Sequence, residues 1–207
     1  SSFSERGNAV CPFCGTVSDS DYVKSEGSNA RLGHQMMAIV CTRPGRKGKI
    51  YFSADKLSEF VPDDDAILKR IAQLCRKTGL TVPDEPIVDD AKRSFWIRLY
   101  GITTYGQLFS PRQLFAQLAL CAQVKQVGSE LERHGYEKGH AAAIQTYLGV
   151  MVDKLADFSS MECTWNYTGG RGIRNGFTRQ ALPMVWDYAE SNIFNPAAAS
   201  WIAILND

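Results

Sequence analysis

The chain has 207 residues and carries 23 Lys and Arg against 22 Asp and Glu, so its formal net charge is +1. This near balance excludes a global field that would draw the chain onto DNA or a membrane, so any nucleic-acid contact must come from a local basic patch. Hydrophobic residues make up 44% of the sequence, enough for a sizeable core, but no apolar run is long enough to span a bilayer. The first residues lack the apolar centre of a signal peptide, and we expect a cytoplasmic location and no membrane partner.

The first motif along the chain is the pair Cys11 and Cys14, in the sequence CPFCG. Two thiolates at this spacing can face one zinc ion, and Gly15 permits the tight turn between them. A tetrahedral site needs two further ligands. His34 and Cys41 are candidates within the chain, a second thiolate pair could lie upstream of residue 1, and a turn without metal is a third interpretation.

A basic hairpin is predicted next. Residues 35–41 (QMMAIVC) favour a strand, residues 43–48 (RPGRKG) a turn, and residues 49–52 (KIYF) the returning strand. No acidic residue dilutes the basic side chains of this segment, which indicates either phosphate contact or simply a solvated hairpin tip.

Helical patterns dominate the rest of the chain. A helix is predicted after the acidic run at residues 63–65, with Gly79 at its end, followed by an acidic, Pro-containing linker up to residue 90. Ser110 and Pro111 favour the start of a second helix reaching about Gly128. A third, at about 136–158, should pack against it as an antiparallel hairpin.

The fold predicted from these patterns is α+β and predominantly α. We expect a ribbon-like β part at residues 1–60, a helix and linker at 61–90, and a helical subdomain at 91–207. Within that subdomain, residues 161–179 form a loop rich in Gly and Arg, in which the arginines could reach a phosphate or a guanine edge or merely decorate a crossover. Residues 180–191 are predicted to form an amphipathic helix, and the C-terminal tail a short one.

The candidate DNA-binding residues are basic and come from the hairpin and from the Gly/Arg loop. They are Arg43, Arg46, Lys47, Lys49, Arg171, Arg174 and Arg179. No phosphate-binding loop, dinucleotide fingerprint or metalloprotease motif occurs, and the three histidines pair with no evident nucleophile. The residues alone therefore predict no reaction and no catalytic residue.

Several segments together resemble a known family. They are CPFCG at 11–15, RLGHQMMAIVCTRPGRKGKIYF at 31–52, YGITTYGQLFSPRQL at 100–114, LGVMVDKLADFSS at 148–160 and FTRQALPMVWDYAESNIF at 177–194. In collinear order, over nearly the whole chain, they are similar to the zinc-ribbon-containing adenine-specific DNA methylases.

The resemblance implies methyl transfer from S-adenosylmethionine to the exocyclic amine of adenine in double-stranded DNA. However, the family's glycine-rich cofactor loop and its Asp-Pro-Pro-Tyr motif do not occur in residues 1–207. The chain corresponds to the segment between those two motifs, so we expect an insert that is inactive alone and works with the remaining methyltransferase domains. It would contribute to DNA binding, or alternatively serve as a scaffold that couples the two catalytic halves.

The resemblance transfers only a few residues. Cys11 and Cys14 match the family's thiolate pair and are the predicted zinc ligands, whereas no residue here matches the S-adenosylmethionine site. Arg112 and Gln113 match a recurring helix start, where they could face DNA or brace the catalytic domain. Arg179 and Gln180 match the start of the family's other recurring helix.

Overall fold

The computed structural model describes residues 7–11, 13–88, 94–166, 172–195 and 199–206. About 49% of the described residues are helical and 12% are in strands, which confirms an α+β fold that is predominantly α. The helices are α1 (Ser20–Ser28), α2 (Asp64–Thr78), α3 (Pro111–Arg133), α4 (Lys138–Phe158) and α5 (Trp201–Asn206). The strands are β1 (Ala9–Val10), β2 (Val17–Ser18), β3 (Ala38–Thr42), β4 (Lys49–Ser53), β5 (Thr164–Asn166) and β6 (Gly172–Arg174). No helix in these ranges is long and apolar enough to cross a membrane.

The strands pair as three separate antiparallel hairpins: β1 with β2, β3 with β4, and β5 with β6. The predicted basic hairpin is confirmed, since Ala38 pairs with Ser53 at one end of β3–β4 and Thr42 with Lys49 at the other. Gly45 and Gly48 adopt positive φ angles of 70° and 105° in the connecting turn, a conformation that glycine reaches without a steric penalty. The β5–β6 hairpin lies inside the segment that was predicted only as a loop.

Helix α1 was not predicted. Asp19 caps it by accepting a hydrogen bond from the Tyr22 amide at 2.7 Å. Only Val23 and Gly27 are buried, so the helix has too few apolar residues to produce a helical pattern. Gly27 packs directly against the backbone of Tyr100, in the short 3-10 helix Trp96–Tyr100. This contact joins the N-terminal part of the chain to the helical part.

Helices α2, α3 and α4 build most of the helical part. Ile67 and Ile71 of α2 pack with Leu114 and Leu118 of α3 in one buried cluster. The predicted ends of α2 are confirmed, with Asp63 as N-cap and Gly79 as a left-handed C-cap.

Helices α3 and α4 pack antiparallel, as predicted, and the chain turns between them around Gly135 at a φ angle of 87°. The amide end of Gln145 in α4 lies against Gly128 of α3. Gln145 Nε2 in turn donates to the carbonyl oxygen of Val124 at 2.9 Å.

Residues 83–88, the described end of the predicted linker, pack against the protein. Ile87 is buried with Ile97, Leu108 and Leu182, and its amide donates to the carbonyl oxygen of Thr103 at 2.8 Å. Residues 89–93 lie outside the described residues.

The helix predicted at residues 180–191 is wrong, because these residues run without regular helix. Leu182 donates to the Ser94 carbonyl at 2.7 Å and accepts from the Ile97 amide at 3.1 Å, and Ala189 donates to Cys163. The backbone groups thus bond to distant segments, and Pro183 disfavours the helical conformation at Leu182. The short helix predicted for the tail is confirmed by α5.

Candidate nucleic-acid interface

A cleft opens between the β3–β4 hairpin and the β5–β6 hairpin. Side chains along a strand alternate between two faces, so Lys49 and Tyr51 share one face of β4, and Thr42, which pairs with Lys49, lies on the same face of β3. Trp165 of β5 meets this face. We refer to this region as the hairpin cleft; it has a volume of about 580 Å3 and is lined by Thr42, Arg46, Gly48, Lys49, Tyr51, Trp165 and Asn166.

Lys49, Tyr51 and Trp165 make the defined contacts of the hairpin cleft. The Lys49 ammonium lies 4.4 Å from the centroid of the Trp165 ring, a cation–π contact. Tyr51 meets Trp165 edge to face, with ring centroids 6.2 Å apart and planes at 86°. These contacts hold a cation beside two aromatic rings, an arrangement suited to phosphate and to the flat face of a base.

The predicted DNA-binding residues are only partly brought together. Arg46 and Lys49 line the hairpin cleft, while Arg43 and Lys47 are exposed at the tip of the same hairpin. Their turn is closed by the Arg46 amide, which donates to the Arg43 carbonyl at 3.3 Å.

The predicted arginines of the Gly/Arg loop are more dispersed. Arg174 is exposed and pairs with Thr164, so it lies on the face of β5–β6 opposite to Trp165. Arg179 is exposed beyond the hairpin, and Arg171 lies outside the described residues. Neither Arg174 nor Arg179 makes an ion pair with a described residue.

Tyr51, Trp165 and Asn166 were not predicted as site residues. Tyr51 lies within the predicted basic hairpin, in KIY at 49–51, and Trp165 and Asn166 lie within the predicted Gly/Arg loop, in TWN at 164–166. The interleaving of aromatic and basic residues could have indicated these positions. The contact between the two hairpins could not be predicted, because they lie far apart in the sequence.

The predicted zinc ligands lie on an exposed turn. The Gly15 amide donates to the Cys11 carbonyl at 3.0 Å, and the Cys11 amide to the Thr16 carbonyl at 2.9 Å. The Cys14 thiol donates to the Thr16 hydroxyl at 3.2 Å, and hydrogen bonding with Thr16 is the main cause that lowers the pKa of Cys14 to about 7. A thiol that ionises this readily suits a metal ligand.

The ligand set is nevertheless incomplete. Among the described residues no three His, Cys, Asp or Glu side chains come together in a way that could hold an ion. His34 instead meets Tyr188 edge to face, with centroids 5.7 Å apart. The described residues therefore supply at most half of a tetrahedral zinc site, and zinc binding by Cys11 and Cys14 stays a prediction.

Arg112 and Gln113 brace the fold. Arg112 donates two hydrogen bonds to the Glu190 carboxylate, at 2.9 and 2.8 Å, and a third to Asp64 at 2.8 Å. The bond to Glu190 is the main reason that the pKa of Arg112 is raised. Gln113 is buried and accepts from the Ser110 amide at 2.9 Å. The Arg112 guanidinium and Gln113 Oε1 are thus engaged within the protein, while Gln113 Nε2 is buried without a partner among the described residues.

Glu162 is a buried carboxyl just before β5. Only 5% of the residue is exposed, and Oε1 has no hydrogen-bond partner among the described residues. Burial raises its pKa to about 7. Gly176 covers it, because any side chain at that position would collide with Glu162. The Gly176 backbone is held by Asp157, whose carbonyl oxygen accepts from the Gly176 amide at 2.8 Å.

Comparison of the chain with protein-family models, with curated proteins and with solved structures finds no match.

Proposed function

We propose that this chain binds DNA as a non-catalytic part of an adenine-specific DNA methyltransferase. The observation that carries the DNA-binding part is the hairpin cleft, where Arg46 and Lys49 stand beside Tyr51 and Trp165. The assignment to a methyltransferase rests on the sequence resemblance alone. S-adenosylmethionine and methyl transfer would belong to the remaining domains of such a protein, and its location would be cytoplasmic.

Lys49 and Arg46 are the residues we expect to contact phosphate. Both are exposed and neither makes an ion pair with a described residue, so neither must give up such a partner to bind a phosphate oxygen. Arg43 and Lys47 extend the same positive surface along the hairpin tip. Binding that depends on such contacts releases counterions and weakens steeply as salt rises.

A scaffold that couples two catalytic halves is the alternative. The clamp of Arg112 on Asp64 and Glu190 favours it, because it fastens three distant segments without leaving the arginine for a ligand. If the chain were such a scaffold, the arginines of the Gly/Arg loop should also form ion pairs with acidic residues of the protein. Arg174 and Arg179 make no ion pair with a described residue, which argues against the scaffold, whereas a DNA-binding role would place the loop arginines on one open face and Arg174 lies opposite to Trp165.

Titration of a labelled 20-base-pair duplex, followed by fluorescence anisotropy at two salt concentrations, tests the proposal. The double variant Arg46→Gln, Lys49→Gln should bind at least about tenfold more weakly at low salt, with a shallower salt dependence, because two phosphate contacts are removed. The matched control is Lys69→Gln, Arg70→Gln, which removes the same charge from the exposed face of α2.

Two results would contradict DNA binding through the hairpin cleft. One is the absence of salt-dependent binding by the unaltered chain at tens of micromolar protein. The other is an equal loss of affinity in the cleft variant and in the α2 control, which would indicate attraction by overall charge alone.

A further inference from the structure

Tyr51 offers an aromatic surface that the fold leaves open. The residue is 58% exposed, although its ring is fixed against Trp165 with the planes at 86°. An aromatic side chain held in one orientation and open to solvent loses little conformational freedom when a flat ligand stacks on it. Lys49 already lies over the Trp165 ring, so Tyr51 is the more accessible of the two rings.

The hairpin cleft has the size of a small-ligand site. Its volume of about 580 Å3 falls within the range of about 300–1,000 Å3 found for small-molecule sites. Arg46 and Lys49 are exposed and can contact the phosphates of a paired duplex from outside the cleft. The space between the two hairpins, however, is of a size for part of one strand.

The residues that line the hairpin cleft include separate groups for the phosphate and for the base of a nucleotide. Lys49 and Arg46 are suited to a phosphate, and Tyr51 to the face of a base. Thr42 adds a hydroxyl, which can hydrogen-bond to a base edge. In a paired duplex the base faces are covered by their neighbours, so an aromatic ring can stack only on a base that is unpaired and unstacked.

We infer that the hairpin cleft takes an unpaired nucleotide of DNA, with its base on Tyr51 and its phosphate on Lys49 and Arg46. This inference rests on the proposed DNA binding and deepens it: the basic tip holds the duplex, and the cleft favours a strand interruption or an extruded base. The chain would then bind a gapped duplex more tightly than a fully paired one.

The test compares a fully paired duplex with the same duplex carrying a three-nucleotide single-stranded gap, using the 207-residue chain and fluorescence anisotropy. The unaltered chain should bind the gapped duplex about tenfold more tightly, the gain expected from stacking one base. Tyr51→Ala should remove this preference, so that the ratio of the two affinities falls to about one. Tyr51→Phe keeps the ring and should retain the preference. Tyr147→Ala, at a tyrosine 75% exposed on α4, is the control and should also retain it.

The outcomes separate this inference from the function it rests on. Equal binding of paired and gapped duplexes by the unaltered chain would overturn the unpaired-nucleotide site and leave DNA binding standing. A preference for the gap that survives in Tyr51→Ala would overturn the role of the cleft. Binding of neither duplex would overturn the proposed function and this inference together.

Discussion

Glu162 illustrates how burial alone changes the chemistry of a single side chain. Its carboxyl lies under Gly176 without a described partner for Oε1, and its pKa is raised to about 7. The sequence alone does not reveal this, because the burial of Glu162 depends on the packing of Gly176, fourteen residues further along the chain. By contrast, Lys49 and Arg46 were recognisable as site candidates from local composition. Their position beside Trp165 could not be predicted from the sequence, since it depends on the contact between the two hairpins.

Replacing Glu162 by Gln should remove a pH dependence of stability. Because the folded pKa of about 7 lies above the usual carboxyl value of about 4.3, the folded protein holds a proton that the unfolded chain has released across this window. The contribution of Glu162 to stability is therefore full below about pH 4 and is lost as pH rises to about 7. Between pH 5 and pH 8, Glu162→Gln should therefore gain on the order of 2–3 kcal/mol of stability relative to the unaltered chain.

Urea denaturation at both pH values measures this effect. Glu59→Gln, at an exposed position, is the control and should change the free energy of unfolding by no more than about 0.5 kcal/mol at either pH. If Glu162→Gln and the unaltered chain lost stability in parallel between pH 5 and pH 8, Glu162 would not be the titrating group.

Among the secondary-structure elements, those whose ends carry local capping signals were predictable. Ser110 and Pro111 indicated the start of α3, and Gly79 indicated the end of α2. Helix α1 was not predictable, because its few buried residues do not form a helical pattern of apolar positions. The helix predicted at residues 180–191 does not form, although the apolar residues there have helical spacing, because the backbone groups hydrogen-bond to residues 94, 97 and 163. Local sequence cannot report such distant partners.

The capping box of α3 should contribute measurably to stability. Ser110 Oγ accepts from the Gln113 amide at 3.3 Å, and Gln113 Oε1 accepts from the Ser110 amide at 2.9 Å. Ser110→Ala removes only the first bond and should lower the free energy of unfolding by about 1–2 kcal/mol. The control, Ser129→Ala, lies at an exposed position within the same helix and should change it by less than about 0.5 kcal/mol. Equal values for the two variants in chemical denaturation would rule out a capping role for Ser110.

Across the whole molecule, the N-terminal and helical parts meet where α1 crosses the chain at Tyr100 and Gly101. The backbones touch so closely that a side chain on Gly27 would overlap Tyr100, and one on Gly101 would overlap Gly27. The predicted division at residues 60 and 90 stays a prediction. Composition indicated the segment containing residues 83–88 as a linker, but the burial of Ile87 ties it to the helical part. Such docking depends on which surfaces match in three dimensions, and no local pattern encodes it.

Gly27→Ala tests this docking. Alanine favours the helical conformation more than glycine does, so α1 itself should be stabilised by about 1 kcal/mol. The overlap with the Tyr100 backbone should outweigh that gain and lower the free energy of unfolding by about 1–3 kcal/mol. Gly33→Ala is the control, because a methyl group there meets no atom within 4 Å. The amides of α1 should exchange hydrogen faster in Gly27→Ala but not in Gly33→Ala. Unchanged exchange in Gly27→Ala would mean that the contact between α1 and Tyr100 does not stabilise α1.

The contact between Gly27 and Gly101 also has an evolutionary consequence. Where two backbones touch, selection acts on the absence of side-chain atoms, and neither position can accept a larger residue unless the other segment moves. Distant homologues should therefore keep glycine at both positions even where the surrounding residues have diverged. Two glycines at the spacing of residues 27 and 101, followed by a Ser-Pro helix start nine residues after the second, would form a compact signature for recognising such sequences.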